Sequence, residues 1–447
     1  MSQDSLCMLG LFAFLFTFRY LRTLVSIITF NLYRPKPIQA NPSYTAKDVT
    51  VIVPTTFKSE TELTHCLDSI CACSPAAVFL VTSYNNVSLV QAICSLRRFP
   101  NVEVLGVAKL NKRRQMILAL QEVKTDITVF ADDDVFWPDD YLDYLLAIFE
   151  DPRTGAGGTR QRARRNPAST INFWNFLCIA YLERRAWNNI ATNAIDGSLS
   201  TLSGRTAAYR TQILQNEEFY HYLMNDKWRG KPLNSDDDKC LTRYVYSHGW
   251  EITIQSDPRS VIETTLEDNP KYIDQCLRWA RAHWRGNLIV METEKYWCSR
   301  KYFWGWYVIY VGQFQTPALF WDALLFAILV DAVSSYSWAR SAYIALAAWI
   351  FFTKNLKMIP HYMRYPQDMV YVPLSVLLSY LHGFLNIYAA MTLTKTHWGS
   401  QKLDALEHAR AKNGAVIPFL KNAMAERDAV PEPTAGKLSQ IPGSDGM

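Results

Sequence analysis

The chain has 447 residues, of which 49% are hydrophobic and 13% aromatic, and its formal net charge at pH 7 is only +5. That length leaves room for two or three folding units, and so small a charge gives no basis for a nucleic-acid partner. Nine cysteines in no paired pattern argue against a disulfide framework and against a zinc site. The composition therefore fits a protein of the reducing cytosol with unusually apolar segments.

The first stretch, residues 1–44, is predicted to be a membrane-associated helix followed by a linker. Residues 6–33 are apolar apart from Arg19, Arg22 and a few polar positions. The stretch is long enough to span a bilayer, but charges at mid-span are costly. A transmembrane helix and an interfacial helix both stay open, and Pro35 begins the linker.

Residues 45–300 alternate between two kinds of pattern. Short β-branched runs predict buried strands, and amphipathic stretches between them predict helices. The predicted strands are 48–55, 78–82, 101–105 and 127–131, and the predicted helices are 60–70, 88–97, 112–123 and 141–150. This alternation indicates an α/β fold with a mostly parallel sheet. No GxGxxG or Walker sequence follows the first strand, so a nucleotide would be held differently from a Rossmann or P-loop ligand.

Three aspartates, Asp132, Asp133 and Asp134, stand at the carboxyl end of the fourth predicted strand. Adjacent carboxylates repel one another, so a fold that gathers them needs a counterion, commonly a divalent cation. Asp132 and Asp134 can turn toward one site while Asp133 faces away. Because ligands of open α/β sheets bind beyond the carboxyl ends of strands, this is a candidate metal site; a solvated acidic turn is the alternative.

Several later stretches carry polar residues in unusual settings. Gly204 stands where a backbone would approach a ligand closely, and residues 236–238 place three acids at a predicted helix start. Residues 272–287 are too polar and aromatic for a plain core helix. The basic run at 160–165 indicates a solvated or membrane-facing loop, with diphosphate or lipid-headgroup binding as the alternative.

The composition of residues 301–400 indicates a membrane part. An aromatic segment at 302–313 is predicted to be interfacial or re-entrant, and three spans follow at 316–334, 342–352 and 369–393. Basic residues before the last span suggest a cytosolic loop, so the catalytic part is expected to face the cytosol. Residues 401–447 are predicted to be a cytosolic, largely disordered tail.

Four motifs occur in order: a Val-Ile-Val-Pro strand ending at Pro54, Asp132-x-Asp134, Asp237-Asp238, and Gln275-x-x-Arg278-Trp279. Over residues 45–400 this series resembles the processive family 2 glycosyltransferases, namely the hyaluronan, chitin and cellulose synthases. The short tail and compact membrane part look most like the small fungal type 2 glycosyltransferases. The resemblance implies a nucleotide-sugar-binding domain of the glycosyltransferase A type, joined to α-helical transmembrane segments.

The resemblance also implies a role for each motif in binding a UDP-sugar donor. Asp132 and Asp134 would hold Mg²⁺ or Mn²⁺ against the diphosphate, and Arg278 would neutralise that diphosphate as it departs. One cation of the Lys112-Arg113 pair would point at the nucleotide, with a solvated helix start as the alternative. The donor-binding residues would be Pro54, Thr55, Lys112, Arg113, Asp132, Gln275, Arg278 and Trp279.

The acceptor side would be formed by the later motifs. Asp238 would be the general base that takes the proton of an acceptor hydroxyl, and Asp237 would orient the site; helix capping is the alternative for both. One base and a displaced UDP imply a single displacement with inversion. Trp279 would form an aromatic floor for the acceptor sugar, and Ser203-Gly204 resembles the family's acceptor-side segment.

The sequence departs from the family pattern in three places. Val81-Thr82-Ser83 ends the second strand where the family has an aspartate that contacts uracil. Phe57-Lys58 replaces an Asn-Glu pair, and Gln401 stands where an arginine often follows the Trp-Gly-Thr segment, here Trp398-Gly399-Ser400. The departures concern selectivity for the nucleotide's uracil base and gating. The residues expected to bind the metal, to act as general base and to hold the leaving group are all present.

Three functions follow as expectations. The first is a multi-pass membrane synthase, at the plasma membrane or else in the Golgi or endoplasmic reticulum, that elongates a growing polysaccharide for the cell surface or cell wall and translocates it through the lipid bilayer. The second is a non-processive lipid glycosyltransferase of the ceramide type, which the small membrane part favours. The third is an inactive membrane scaffold, which the retained acids disfavour.

Overall fold

The computed structural model describes residues 3–99, 101–167, 170–233 and 235–396. The chain divides into two units, residues 1–398 and 399–447, and every feature described below belongs to the first. The Trp398-Gly399-Ser400 segment, Gln401 and the predicted tail lie outside the described residues.

Strands and helices alternate through the first part of the described chain, and helices alone follow after residue 264. The strands are β1 Val49–Pro54, β2 Ala77–Ser83, β3 Val102–Val107, β4 Ile127–Ala131, β5 Val135–Phe136, β6 Thr154–Thr159, β7 Gln161–Ala163, β8 Thr206–Arg210, β9 Lys227–Trp228, β10 Lys231–Pro232, β11 Glu251–Gln255 and β12 Ile262–Thr264. The α-helices are α1 Gln3–Leu32, α2 Glu60–Ala72, α3 Tyr84–Arg97, α4 Lys112–Leu120, α5 Tyr141–Leu146, α6 Phe173–Asp196, α7 Thr211–Leu214, α8 Glu217–Met224, α9 Asp237–Ser247, α10 Lys271–Ile289, α11 Phe303–Trp306, α12 Gly312–Phe314, α13 Ala318–Val333, α14 Ala339–Asn355, α15 Ile359–Arg364 and α16 Val372–Met391.

A seven-stranded sheet in the order β11-β6-β8-β4-β1-β2-β3 forms the centre of the α/β part of the chain. β8 runs antiparallel to β4 and β6, whereas the other neighbouring strands are parallel. The predicted α/β fold with a mostly parallel sheet and additional membrane-type helices is confirmed. Because Ala131 pairs with Thr206, the loop before β8 meets the three aspartates after β4 at one edge of the sheet.

The side chains of the central strands alternate between two hydrophobic cores, one on each face of the sheet. On β1, Ile52 joins the core that contains Phe130, whereas Val51 and Val53 join the core that contains Val129. All five side chains are buried. Helices on both faces produce this two-sided burial, and they leave the strand ends as the place where polar side chains can gather.

Within the described residues, three helices are long and apolar enough, by length and composition, to cross a membrane: α1 and the segments Ala339–Arg364 and Pro366–Met391. Arg300–Phe314 and Ala318–Val333 would together add a fourth span, but they meet at a bend of 78°. Helices therefore occupy the stretches that the sequence assigned to a membrane part.

Both arginines of α1 face protein atoms. Arg19 Nη1 donates to the Gln315 carbonyl at 2.6 Å. A Cβ added to Gly312 would lie 3.3 Å from Arg22 Nη1, so the glycine leaves room for that guanidinium. Because α1 packs along α13 and α6, the cost of placing two charges in an apolar helix is lower than the sequence alone suggests.

Candidate active site

Lys112 connects the two acidic motifs at the sheet edge. Its Nζ lies 2.7 Å from Asp132 Oδ1 and 3.1 Å from Asp237 Oδ2. Lys112 is the first residue of α4, whose start is capped by the side chain of Asn111. Burial alone would lower the pKa of Lys112, but Asp132 and Asp237 raise it above its ordinary value, so the side chain stays a cation.

Asp133 turns away from Lys112 and toward the end of β1. Its Oδ2 accepts a hydrogen bond of 2.5 Å from Thr55 Oγ1, and Thr55 N donates to the Val81 carbonyl at 2.9 Å. The buried side chain of Gln115 donates to the carbonyls of both Thr55 and Val81. The Pro54-Thr55 strand end is thus fastened to the acidic loop and to β2.

The remaining acid of the triplet, Asp134, is close to other negative charges. Thr264 Oγ1 donates to Asp134 Oδ1 at 3.3 Å. Burial, followed by repulsion from Asp132 and Asp133, raises the pKa of Asp134 to about 8. A carboxylate in this position is stabilised by any cation that binds between it and Asp132.

The residues of this loop fit a divalent cation only together with a ligand. In the part of the chain that the structure describes, no group of three or more His, Cys, Asp or Glu side chains is arranged to hold a metal ion. Asp132 and Asp134 supply hard oxygen donors, and a cation held by one or two carboxylates takes its other ligands from water or phosphate oxygens. The donor set is therefore suited to a metal–diphosphate complex.

Asp237 and Asp238 open α9, and their environments separate their pKa values. Burial would raise the pKa of Asp237, but Lys112 and Arg113 lower it below its ordinary value. Burial, followed by the charge of Asp237, raises the pKa of Asp238. Two neighbouring carboxyl groups whose pKa values are shifted in opposite directions can take different roles. Asp238 is the group that is better able to accept a proton.

Gly204 allows the Ser203-Gly204 segment to approach Asp237 and Asp238 closely. A Cβ added to Gly204 would lie 3.3 Å from Asp238 Cβ and 3.6 Å from both Asp237 Oδ2 and Lys112 Nζ. The next residue, Arg205, accepts a hydrogen bond from Asp132 N at its carbonyl, at 2.8 Å. The backbone at 204–205 therefore runs between the two acidic motifs.

An aromatic and cationic surface lies beside this backbone. The Arg205 guanidinium stands 5.1 Å from the ring centroid of Trp279 and donates to Ser203 Oγ at 3.2 Å. Trp279 in turn stacks on Tyr181, with centroids 4.9 Å apart and planes inclined by 18°. Such a surface can hold a sugar ring by its apolar face.

The other residues of the Gln-x-x-Arg-Trp motif lie on α10. Gln275 Oε1 is buried and accepts no hydrogen bond within the described chain. Arg278 is half-buried, one residue before Trp279. The structure thus brings Trp279 into contact with Arg205 and Tyr181, and it places Gln275 and Arg278 on the same helix.

Arg113 does not reach the acidic motifs with its guanidinium. Its Nη2 lies 3.0 Å from Asp226 Oδ2, its Nη1 donates to the Leu223 carbonyl at 2.5 Å, and the side chain is buried. Of the two candidate cations, Lys112 is therefore the one at the site. Arg113 acts on Asp237 only through its charge.

A cavity of about 540 Å³ is lined in part by Asp238 and Trp279, and Asp132 is not among its lining residues. Residues of α1, α6, α10, α13, α14 and α16 line it. The cavity thus joins the candidate base to the helices that are long enough to cross a membrane. An acceptor could reach Asp238 from that side without passing the donor site.

Sequence reasoning missed several residues of the site. Arg205 was not among the predicted site residues, although its charge beside Gly204 could have indicated a role. Lys239 follows Asp238 directly, and its Nζ donates to Ser200 and Asn287 at 2.7–2.8 Å. Tyr181 was not predicted because it lies in the aromatic-rich helix α6. The sequence pattern there does not distinguish a ring that binds a ligand from a ring in the core.

The chain is similar to known glycosyltransferases. The family model "Glycosyltransferase like family 2" matches residues 46–282. A type 2 glycosyltransferase of Zymoseptoria tritici is 44% identical over 409 residues, which are 90% of this chain and 86% of that protein. A hyaluronan synthase of Streptococcus pyogenes is 25% identical over 302 residues, 65% of this chain and 66% of that protein.

A solved mannosyltransferase from Pyrobaculum calidifontis, in complex with GDP-Man and Mn²⁺, is 17% identical with a TM-score of 0.48, covering 83% of this chain and 99% of that one. The family match alone spans more than half of the chain, and it ends within α10 beyond the Gln-x-x-Arg-Trp motif. A sheet with its acids at one edge, followed by apolar helices, is the arrangement expected for such an enzyme in a membrane. The chain is a family 2 glycosyltransferase.

Proposed function

We propose that the protein transfers a sugar from a UDP-sugar to an acceptor that enters from the membrane side, with inversion at the anomeric carbon. The observation that carries this proposal is the position of Asp238. It lies against Gly204 beside the Lys112–Asp237 pair, and it also lines the cavity that leads to the membrane-type helices. A base at that junction can contact both substrates.

The donor would bind at the carboxyl ends of β1 and β4. Pro54 and Thr55 would lie at the uridine, and Asp132 and Asp134 would hold Mg²⁺ or Mn²⁺, which would neutralise the diphosphate. Lys112 already stands beside Asp132 at 2.7 Å and would contact a phosphate oxygen. Arg278 and Gln275 would hold the departing diphosphate.

The acceptor would lie on Trp279, next to Ser203 and Gly204. Its hydroxyl would give a proton to Asp238 while its oxygen attacks the anomeric carbon, and the bond to the diphosphate would break. Asp237 would keep Lys112 in place through the contact of 3.1 Å. A single base and no second nucleophile are what an inverting transfer requires.

The product we propose is a polysaccharide of the cell surface, elongated and passed through the membrane part, with the catalytic part in the cytosol and the plasma membrane as the first expected location. The similarity to a hyaluronan synthase supports this product. A second candidate is transfer to a lipid, because basic side chains and residues of the membrane-type helices line the cavity.

The test is incubation of purified membranes with a panel of radiolabelled UDP-sugars and Mg²⁺ or Mn²⁺. Long labelled polymer would support the synthase, one labelled lipid would support the second candidate, and no product would contradict both. Membranes containing the Asp238→Asn variant, expressed to the same level, are the matched control and should give no product.

A further inference from the structure

The cavity behind Asp238 carries far more positive than negative charge. Its lining has a single carboxylate, Asp238, and seven basic side chains: Arg19, Arg22, Arg184, Arg185, Lys239, Lys354 and Lys357. Lys354 is neutralised by Asp322 at 2.7 Å. None of the other six has an ion pair with a carboxylate in the described chain: Arg19, Arg22, Arg184, Arg185, Lys239 and Lys357.

Two of these cations, Arg184 and Lys357, donate hydrogen bonds to neutral groups. Arg184 Nη2 donates to the carbonyls of Lys354 and Ser375 at 3.0 and 2.8 Å, and Lys357 Nζ donates to Asn188 Oδ1 at 2.6 Å. Burial lowers the pKa of Arg184 to about 10. Neutral partners leave the net positive charge of the wall in place.

The positive charges also act on one another. Arg19, Arg22 and Arg184 line the same cavity, so their guanidinium charges repel one another. Repulsion of this kind is strong where little water screens it, so a fold that assembles such a wall gains stability when an anion binds. A neutral sugar chain would supply no such charge.

Three buried polar atoms in the wall also have no hydrogen-bond partner within the described chain. They are Arg19 Nε, Ser26 Oγ, on a side chain that is 1% exposed, and His382 Nε2. Buried polar groups in proteins are nearly always hydrogen-bonded. A ligand with several oxygen atoms in this cavity could pair with these atoms.

We propose that the cavity binds the phosphate of an anionic membrane phospholipid whose headgroup carries a free hydroxyl, and that this lipid is the acceptor. The inference rests on the second candidate for the proposed function, transfer to a lipid, and it takes Asp238 as the base. Arginine guanidinium groups match phosphate oxygens in pairs, which favours a phosphate over a single carboxylate. The lining helices α1, α13, α14 and α16 would lie beside the acyl chains.

The transfer step balances without any further reactant. The headgroup hydroxyl oxygen forms a bond to the anomeric carbon of the donor, and its proton passes to Asp238. The bond between that carbon and the diphosphate breaks, and its electron pair leaves with UDP. The lipid phosphate takes no part in bond making and serves to hold the headgroup at Arg22, Arg184 and Lys357.

The test measures lipid binding without any donor present. The full-length protein, stripped of lipid in detergent, is mixed with vesicles of phosphatidylcholine alone or of phosphatidylcholine containing phosphatidylinositol. We expect phosphatidylinositol to raise the Tm by several degrees and to be retained on gel filtration, whereas phosphatidylcholine alone does neither. In the Arg22→Gln/Lys357→Gln variant the affinity should fall about tenfold or more, as expected for the loss of two charge-assisted contacts.

Two variants separate binding from folding. Arg340→Gln removes an exposed charge at the start of α14, outside the cavity, and should behave as the wild type. Arg22→Lys keeps the charge and should retain most of the binding. A merely structural role for Arg22 predicts a lower Tm for Arg22→Gln without lipid, whereas relief of repulsion predicts an equal or higher Tm.

Each other outcome overturns the proposal. Inorganic phosphate that reproduces the Tm shift in lipid-free detergent would assign the site to free phosphate. A Tm shift with an acidic polysaccharide fragment, and none with phosphatidylinositol, would assign it to an anionic polymer. If the wild type transfers no sugar from any donor, the proposed function fails, and the vesicle measurement still decides whether the cavity takes phospholipid.

Discussion

The carboxylate of Asp236 and the guanidinium of Arg285 form a two-point ion pair, with both N–O distances 2.9 Å. Both side chains are buried. Arg285 Nη1 also donates to the carbonyls of Leu393 and Lys395 at 3.3 and 3.2 Å. The pair therefore joins the loop that carries the candidate base to α10 and to the chain that follows α16.

Arg285→Gln should destabilise the protein and slow transfer. Asp236 would remain buried without its partner, which costs about 3–5 kcal/mol in comparable pairs. Asp236, the residue before α9, also has a φ of 77°, so the backbone there has little freedom to adjust. Thermal unfolding in detergent measures the loss. In the double variant Asp236→Asn/Arg285→Gln, the free energy of unfolding should fall by less than the sum of its decreases in the two single variants. Strictly additive decreases would contradict the role of the pair.

Asp238→Asn should reduce transfer by about two to four orders of magnitude, the usual contribution of a general base. Affinity for UDP should change less than twofold, since the base acts on the acceptor. Radiolabel transfer and calorimetry give the two values. Asp68→Asn, an exposed acid on α2, is the control. Transfer at the wild-type rate in Asp238→Asn would remove this residue from the mechanism.

Asp134→Ala should weaken UDP binding in the presence of Mn²⁺ by roughly tenfold or more, because a charge-assisted metal contact is lost. Without a divalent cation the variant should bind UDP no worse than the wild type, since the repulsion among three aspartates is relieved. Calorimetry with and without Mn²⁺ provides the comparison. Asp139→Ala, exposed beyond the triplet, should match the wild type in both conditions.

The pH dependence of kcat/KM should show an acidic limb from Asp238. The base must be deprotonated, and burial together with Asp237 raises its pKa, so activity is lost at a higher pH than for an ordinary aspartate. Asp237→Asn removes the neighbouring negative charge and should move that limb to lower pH. A limb that stays in place, measured over a pH series at low acceptor concentration, would contradict the coupling.

The strands that carry the donor site were predictable because each has a strong local signal. β1 is a β-branched run that ends at Pro54, and β4 is one that ends at the three aspartates. Three other strands of the central sheet, β6, β8 and β11, were not predicted. β6 has the sequence TGAGGT, and its glycines are required because Ile148 and Trp250 pack directly against the backbone of Gly157 and Gly155.

A local sequence pattern could not predict where an individual basic side chain points. Lys112 and Arg113 are neighbours at the start of α4, yet one faces Asp132 and the other Asp226. Only the packing of α8 and α9 against α4 decides this difference. The same holds for Arg22, Arg184 and Lys357, which come together in one cavity from three distant parts of the sequence.

The hydrogen bond between Arg19 and the Gln315 carbonyl spans 296 residues of sequence. A chain cut before Gln315 keeps Arg19 but lacks the carbonyl that accepts its hydrogen bond. The packing of α1 therefore depends on residues that are synthesised long after it, and truncation before Gln315 should leave α1 less firmly packed.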